Sequence, residues 1–229
     1  FPDKLEPMQE KVVRSPFEKH LFFNVCTFGY TAPFWDWERW EKEIDWLALH
    51  GFDMPLNPIA FEAISARVYR QLGLSEEEIT QYFTGPAHFP WMRMGNISNI
   101  DGGMSAQWHE NQIRLQHKMT GRMRELGMTP VIQGFAGFVP DAFAEHYPNR
   151  PYTRTSWHGL GATYLSPVDS LFGVIGTSFV KEWEKEFGKC DYYLMDSFNE
   201  MKLPFAPIGD PSRYADLKKY SECIYESLA

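Results

Sequence analysis

The stretch Asp191 to Met201, DYYLMDSFNEM, decides how the chain folds. Gly188 ends the helical pattern before it, and Tyr192 to Asp196 predicts a short strand covered on both faces. That strand runs into a loop presenting Asn199 and Glu200. In an α/β barrel the loops that follow the strands carry the chemistry. Glu200 can carry a proton, and Asn199 can hydrogen-bond a hydroxyl or an amide. The competing reading of the same residues is a solvated Glu at a loop tip.

Working backward, the same strand-then-helix order recurs. Leu21 to Cys26 is an expected strand, opening into a loop through Tyr30. Asp36 caps the next helix, where Trp37, Trp40, Ile44 and Leu47 recur at helical spacing and Gly51 ends it. Phe52 to Asn57 is a second expected strand, and Ile59 to Leu72 a helix closed by Gly73. Ser75 and Glu78 form a capping box for a short helix through Phe83. A long loop from Thr84 to Met104 follows, of a length that usually carries function. Ser105 then caps a helix to Leu126. Met128 to Gln133 is a third expected strand, Pro140 opens a short helix to His146, and a second long loop runs from Tyr147 to Pro167. Leu171, Ile175, Phe179 and Trp183 mark a helix leading to the fourth strand, and Ser212 is the expected cap of the last helix.

Strand and helix alternate four times, which implies parallel strands joined by right-handed crossovers. An open doubly wound sheet and the first half of an eight-fold barrel both satisfy this order. No GxGxxG or GxxxxGK[ST] segment supports nucleotide binding. Long loops after the strands favour the barrel. The expectation is an α/β chain forming the N-terminal half, four βα units, of a TIM-type (β/α) barrel whose remainder lies outside this sequence. Residues 1–20, with Pro2, Pro7 and Pro16, read as a linker from an upstream region, and 21–229 as the half-barrel.

Composition narrows the function. The net charge of -8, with no run of Lys or Arg, argues against nucleic-acid and anionic-membrane partners. No apolar stretch approaches the roughly 20 residues of a membrane span. Phe1 does not open a secretory signal, which leaves the compartment open. Cys26, Cys190 and Cys223 form neither a metal cluster nor a dense disulfide framework, although export would allow one pair to bridge. No HExxH spacing occurs among the histidines, and no cofactor is implied. The aromatic content of 16%, with 8 Trp, exceeds ordinary core needs and suits flat ligands.

The strand ends collect Asn24, Cys26 and Tyr30, then Asn57, Trp91, Gln133, Trp157 with His158, and finally Asn199 and Glu200. Amides, aromatics and one acid/base group suit a neutral sugar ring. Glycoside hydrolysis needs two carboxyls. Glu200 is the acid/base candidate. The second is not evident: Asp36 is committed to capping, Asp101 reads as a turn residue, and Asp196 lies four residues before the acid, in the strand that leads to its loop. Cys26 as a nucleophile would need His158 as its base, and a lone Cys at a strand end is more often a small packed residue.

Four segments resemble the α-N-acetylglucosaminidases of glycoside hydrolase family 89, which include the lysosomal enzyme of heparan sulfate breakdown. They are NVCTFGYTAPFWDWERWEKEIDWLALHG (Asn24 to Gly51), GLSEEEITQYFTGPAHFPWMRMGN (Gly73 to Asn96), LGMTPVIQGFAGFVP (Leu126 to Pro140) and SFNEM (Ser197 to Met201). The resemblance spans nearly the whole chain. It implies a retaining exo-hydrolase that removes a terminal, non-reducing α-linked N-acetylglucosamine from a glycan. It implies Glu200 as acid/base, with Asn24, Cys26, Tyr30, Trp91, Trp157 and Asn199 binding the sugar. The family's nucleophilic Glu lies on a later strand, beyond Ala229, so the rest of the polypeptide is expected to complete both barrel and site. An exported or lysosomal location follows from the same resemblance. A carbohydrate-binding fragment without catalysis, or another barrel glycosidase, are the alternatives.

Overall fold

The computed structural model describes residues 10–22, 24–198 and 205–228. The expected strand-helix alternation is present. In chain order the elements are β1 (Leu21–Phe22), α1 (Val25–Thr31), α2 (Trp37–Leu49), β2 (Met54–Pro55), α3 (Phe61–Gln71), α4 (Glu76–Tyr82), α5 (Phe89–Arg93), α6 (Ala106–Glu125), β3 (Val131–Gln133), β4 (Phe138–Val139), α7 (Phe143–His146), β5 (Tyr152–Arg154), β6 (Thr163–Leu165), α8 (Ser170–Phe187), β7 (Tyr192–Leu194) and α9 (Pro211–Glu226).

β1 pairs in parallel with β2, Leu56 bridges in parallel to Val131, and β3 pairs in parallel with β7. The order β1-β2-β3-β7 is that of successive barrel strands. Side chains alternate across these strands. Met54, Leu56 and Val131 join Val25 and Met94 in a small inner cluster, with Leu194 against it. Ile132 faces the other way, into the large core between sheet and helices, with Met119 and Met123 of α6 and Phe179 and Trp183 of α8.

Three of the expected helix caps form, those of α2, α4 and α6. The Asp36 side chain accepts from the Arg39 backbone N–H, and that of Ser105 from Trp108. Ser75 and Glu78 make the reciprocal capping box. The Ser75 backbone N–H, His146 and the Ser75 hydroxyl together hold the Glu78 carboxyl down at about 2, from an ordinary 4.5. A depressed carboxyl contributes stability above its unfolded value and loses it as pH falls toward the folded one. The urea midpoint difference between wild type and Glu78→Gln is therefore expected at full size near neutral pH. It should shrink between about pH 4.5 and pH 2. A difference independent of pH would contradict the charge as its source. Ser75→Ala should cost about 1 kcal/mol by the same measurement.

The structure corrects five expectations. Only Leu21–Phe22 of the first strand is extended; from Val25 the chain is helical, with the Phe28 N–H on the Asn24 carbonyl. Val25 and Phe28 bury on that helix's inner side, and this packing overrides the β-rich local sequence. The loop from Thr84 to Met104 contains a 3-10 turn at Pro86–His88 and α5. The loop from Tyr147 to Pro167 contains β5 and β6, which join β4 in an antiparallel sheet ordered β4-β6-β5. β7 is shorter than Tyr192 to Asp196 and half exposed rather than covered on both faces, being paired on one side only among the described residues. Asp210, not Ser212, caps α9, its carboxylate accepting the Ser212 N–H and hydroxyl ahead of Pro211 at the first helical position. The three cysteines are free thiols.

Residues 10–20 form no helix or strand and expose Val12, Val13 and Phe17. Among the described residues no helix is long and apolar enough to cross a membrane.

Candidate active site

Among the described residues, α1 and α5 build a group in which several expected sugar-binding residues meet. Cys26 and Tyr30 lie four residues apart, hence on one face of α1. The Cys26 Sγ and Tyr30 Oη are 3.1 Å apart. The Tyr30 ring stands edge-on to Trp91 of α5, with centroids 6.3 Å apart at 76°. Tyr30 is 66% exposed, so its phenol and ring edge face solvent while Trp91 is half-buried beneath. The bond to Cys26, and that thiol's charge when ionised, push the phenol above its ordinary value. It is therefore a neutral hydrogen-bonding group at physiological pH. Asn24 is exposed at the start of the same helix.

The close contact of the two helices depends on Gly29. A Cβ at that position would fall 1.7 Å from Pro90 Cγ. Gly29→Ala must push α1 off α5 and should cost about 1–3 kcal/mol in urea unfolding, the usual range for overpacking. An unchanged midpoint would contradict this packing.

Under both helices lies a buried ion pair that the sequence reading does not single out. The Arg93 guanidinium is bidentate to Glu62 of α3, at 2.7 Å for each bond, with side-chain exposures of 0% and 3%. Phe28 of α1 and Phe89 of α5 place their rings 4.7 and 5.1 Å from the guanidinium carbon. The pair thus joins α1, α3 and α5 at one point. A Glu in the otherwise apolar run Phe61-Glu62-Ala63-Ile64 is the sequence signal for it.

Trp157 arrives by a different route. It sits on a tight turn closed by mutual backbone bonds between Trp157 and Leu160, both 2.8 Å. His158 and Gly159 both have positive φ there, 48° and 84°, the pattern of a primed hairpin turn. Two bonds moor this hairpin to the segment after Trp91: the Thr155 hydroxyl donates to the Gly95 carbonyl at 3.0 Å, and the Ser98 hydroxyl to Gly161 at 3.2 Å. Trp157 meets His158 edge-on. Cys26 is bonded to the Tyr30 phenol, not to a base, which removes the support for a Cys26–His158 nucleophile.

The other strand-end residues separate by facing direction. Gln133 faces inward above Val131, is 3% exposed, and donates to the Arg93 carbonyl at 3.4 Å. Asn57 does not belong to the site. One residue past the inward Leu56, it points outward and donates to Thr120 of α6 at 3.0 Å. Asp196, just past β7, is half-buried; burial raises its carboxyl and the Phe198 backbone N–H offsets part of that. Asp101 has φ 61° and bonds to His88, the turn role expected of it. Asn199 and Glu200 lie outside the described residues.

Three comparisons bear on this arrangement. The family model described as the α-N-acetylglucosaminidase TIM-barrel domain matches residues 20–229. The human protein named alpha-N-acetylglucosaminidase is 41% identical over 220 residues, covering 93% of this chain and 29% of its own. A family 89 glycoside hydrolase from Clostridium perfringens, solved with 2-acetamido-1,2-dideoxynojirmycin, superposes with a TM-score of 0.81 at 29% identity, over 93% of this chain and 24% of that one. A Clostridium perfringens family 89 variant with two glutamates replaced by glutamine, solved with its substrate GlcNAc-alpha-1,4-galactose, gives the same TM-score, identity and coverage. The chain therefore spans less than a third of the length of the relatives it matches.

Proposed function

The chain belongs to the α-N-acetylglucosaminidase family, whose barrel-domain model it matches over residues 20–229, and on that premise we propose that it forms the first half of a retaining exo-glycosidase. The enzyme removes a terminal, non-reducing α-linked N-acetylglucosamine from a glycan, with Glu200 as general acid and then general base. Residues 21–229 supply four βα units of the barrel, and 1–20 lead into them from an upstream region.

The observation that carries this reading is the Cys26–Tyr30–Trp91 group in a family member of barrel topology. It offers a half-buried indole and an exposed phenol close together. Aromatic faces stack on the apolar side of a pyranose, and phenol and amide groups bond its hydroxyls and acetamide. Asn24 on the same helix, with Trp157 on its hairpin and Asn199 beside the acid, completes the sugar contacts. Asp36 and Asp101 are engaged in a cap and a turn. On the family resemblance, not on these two residues, we place the nucleophilic carboxylate on a later strand of the same polypeptide. There it would stand about 5–5.5 Å from Glu200 across the bond to be cleaved. The reaction needs no cofactor. Its partner is the glycan, not nucleic acid or membrane, and an exported or lysosomal location suits it.

A panel of nitrophenyl glycosides tests the reading in the intact protein. Release from the α-N-acetylglucosaminide alone is expected. Preferential release from the β-anomer or from an α-glucoside would assign a different barrel glycosidase, and sugar binding without release would leave only a binding module.

A further inference from the structure

Trp91 and Trp157 stand on separate elements, α5 and the β5–β6 hairpin, and a short chain of hydrogen bonds joins their backbones. It begins at α5. The Trp91 carbonyl accepts the Asn96 N–H at 2.8 Å, which fastens the turn through Gly95 to the residue that carries the first indole. The Gly95 carbonyl accepts the Thr155 hydroxyl at 3.0 Å, and that hydroxyl oxygen in turn accepts the Ala162 N–H at 2.8 Å. Thr155 directly follows β5 and lies two residues before Trp157. Its hydroxyl has one proton to give. The Ala162 carbonyl, at 3.2 Å, already takes the Thr155 backbone N–H at 2.9 Å, so the proton goes to Gly95. With Thr155 only 8% exposed, water cannot readily take over a bond that is lost.

Two neighbouring ties run in parallel. The buried Ser98 hydroxyl donates to the Gly161 carbonyl at 3.2 Å, and Asn99 donates to the Asp141 carboxylate, which also takes Arg154 and Thr163 of the hairpin strands. Glycines allow the close approach: a Cβ at Gly95 would collide with the Phe138 ring, and one at Gly161 with the Thr155 carbonyl. From this geometry we infer that Thr155 is a positioning residue for Trp157, holding its hairpin at a fixed place relative to Trp91 before the sugar arrives. The inference rests on the sugar-binding roles given to the two indoles above. Enclosed between two backbones, Thr155 acts through the indole rather than on the sugar.

An indole that packs on the sugar ring binds substrate and transition state alike, so loosening it raises KM and leaves kcat nearly unchanged. Thr155→Val keeps the side-chain shape and removes the hydroxyl. In the intact enzyme, acting on nitrophenyl α-N-acetylglucosaminide, it is expected to raise KM roughly three- to tenfold, with kcat within about twofold of wild type. Thr155→Ser can remake both bonds and should return KM to near the wild-type value. Trp157→Ala should raise KM at least as much as Thr155→Val. Adding Thr155→Val to Trp157→Ala should raise it no further, because the two residues act as a unit. If Thr155→Val fails to fold, Ser98→Ala, which cuts the parallel tie, carries the same test. A merely structural role would appear as a lost active fraction, with lower kcat and unchanged KM, and would overturn the inference. So would a wild-type KM in Thr155→Val, no rescue by Ser, or fully additive effects in the double variant. Failure of the underlying reading looks different, and the inference falls with it: there Trp157→Ala itself leaves KM unchanged, or the wild-type enzyme releases nothing from this substrate.

Discussion

Glu200→Gln is expected to lower turnover of GlcNAc-α-1,4-galactose by the intact enzyme by on the order of 10²–10⁴-fold, the usual contribution of a positioned general acid. The side chain keeps its size and its hydrogen-bonding reach but has no proton to give. A sugar alkoxide leaves poorly and must be protonated as the bond breaks. Nitrophenolate leaves without that help, so the loss on the aryl glycoside should be much smaller in the glycosyl-transfer step. Substrate affinity should change little. A loss of equal size on both substrates would indicate a disturbed pocket, not a missing acid. For Glu200 to arrive protonated its carboxyl must titrate above the ordinary range, which burial or a neighbouring carboxylate provides. The alkaline limb of kcat/KM should therefore move in variants that alter that environment.

The second large effect falls on stability. Glu62→Leu leaves the Arg93 guanidinium, fully enclosed among Phe28, Phe61 and Phe89, without its counter-charge. Breaking one partner of such a pair costs about 3–5 kcal/mol, because the remaining charge stays buried. Arg93→Met is expected to cost a similar amount by stranding Glu62. The double variant Glu62→Leu with Arg93→Met removes both charges and should recover most of the loss. Urea unfolding of the four proteins closes the cycle. Single-variant losses below about 1 kcal/mol would mean that the charges reach solvent, contrary to the geometry. Because Arg93 is two residues from Trp91, and Phe28 two from Tyr30, the single variants should also weaken sugar binding.

What the sequence shows of this fold follows from the range of the forces involved. Asp36, Ser75 and Ser105 are legible as caps because each bonds a backbone N–H three residues on, inside its own window. α2, α6 and α8 are legible because a core-facing stripe repeats over several turns. Features decided by distant contacts are not. Val25 to Thr31 has strand-like composition and becomes a helix because Phe28 packs on the Arg93 site and Gly29 on Pro90. Asn57 looks like a strand-end ligand, but its direction is fixed by the pairing of Leu56 with Val131. The β5–β6 hairpin lies in a stretch whose apolar residues mark no clear alternation, and its pairing with β4 is set by tertiary packing. Glu62 and Arg93 are 31 residues apart, and neither predicts the other. The candidate site divides along the same line. Cys26 and Tyr30 share one turn of spacing, while Trp91 meets them only through the packing of α1 on α5. Trp157 is carried by a hairpin that the sequence does not announce, bonded to the segment after Trp91 through Thr155 and Gly161.

The measurement that tests the central claim most directly is the anomeric form of the first product, followed by NMR as the intact enzyme cleaves an α-N-acetylglucosaminide. A retaining enzyme with Glu200 as acid/base releases α-N-acetylglucosamine first, and the β-anomer grows in only by mutarotation. Release of the β-anomer first, or no release at all, would contradict the account.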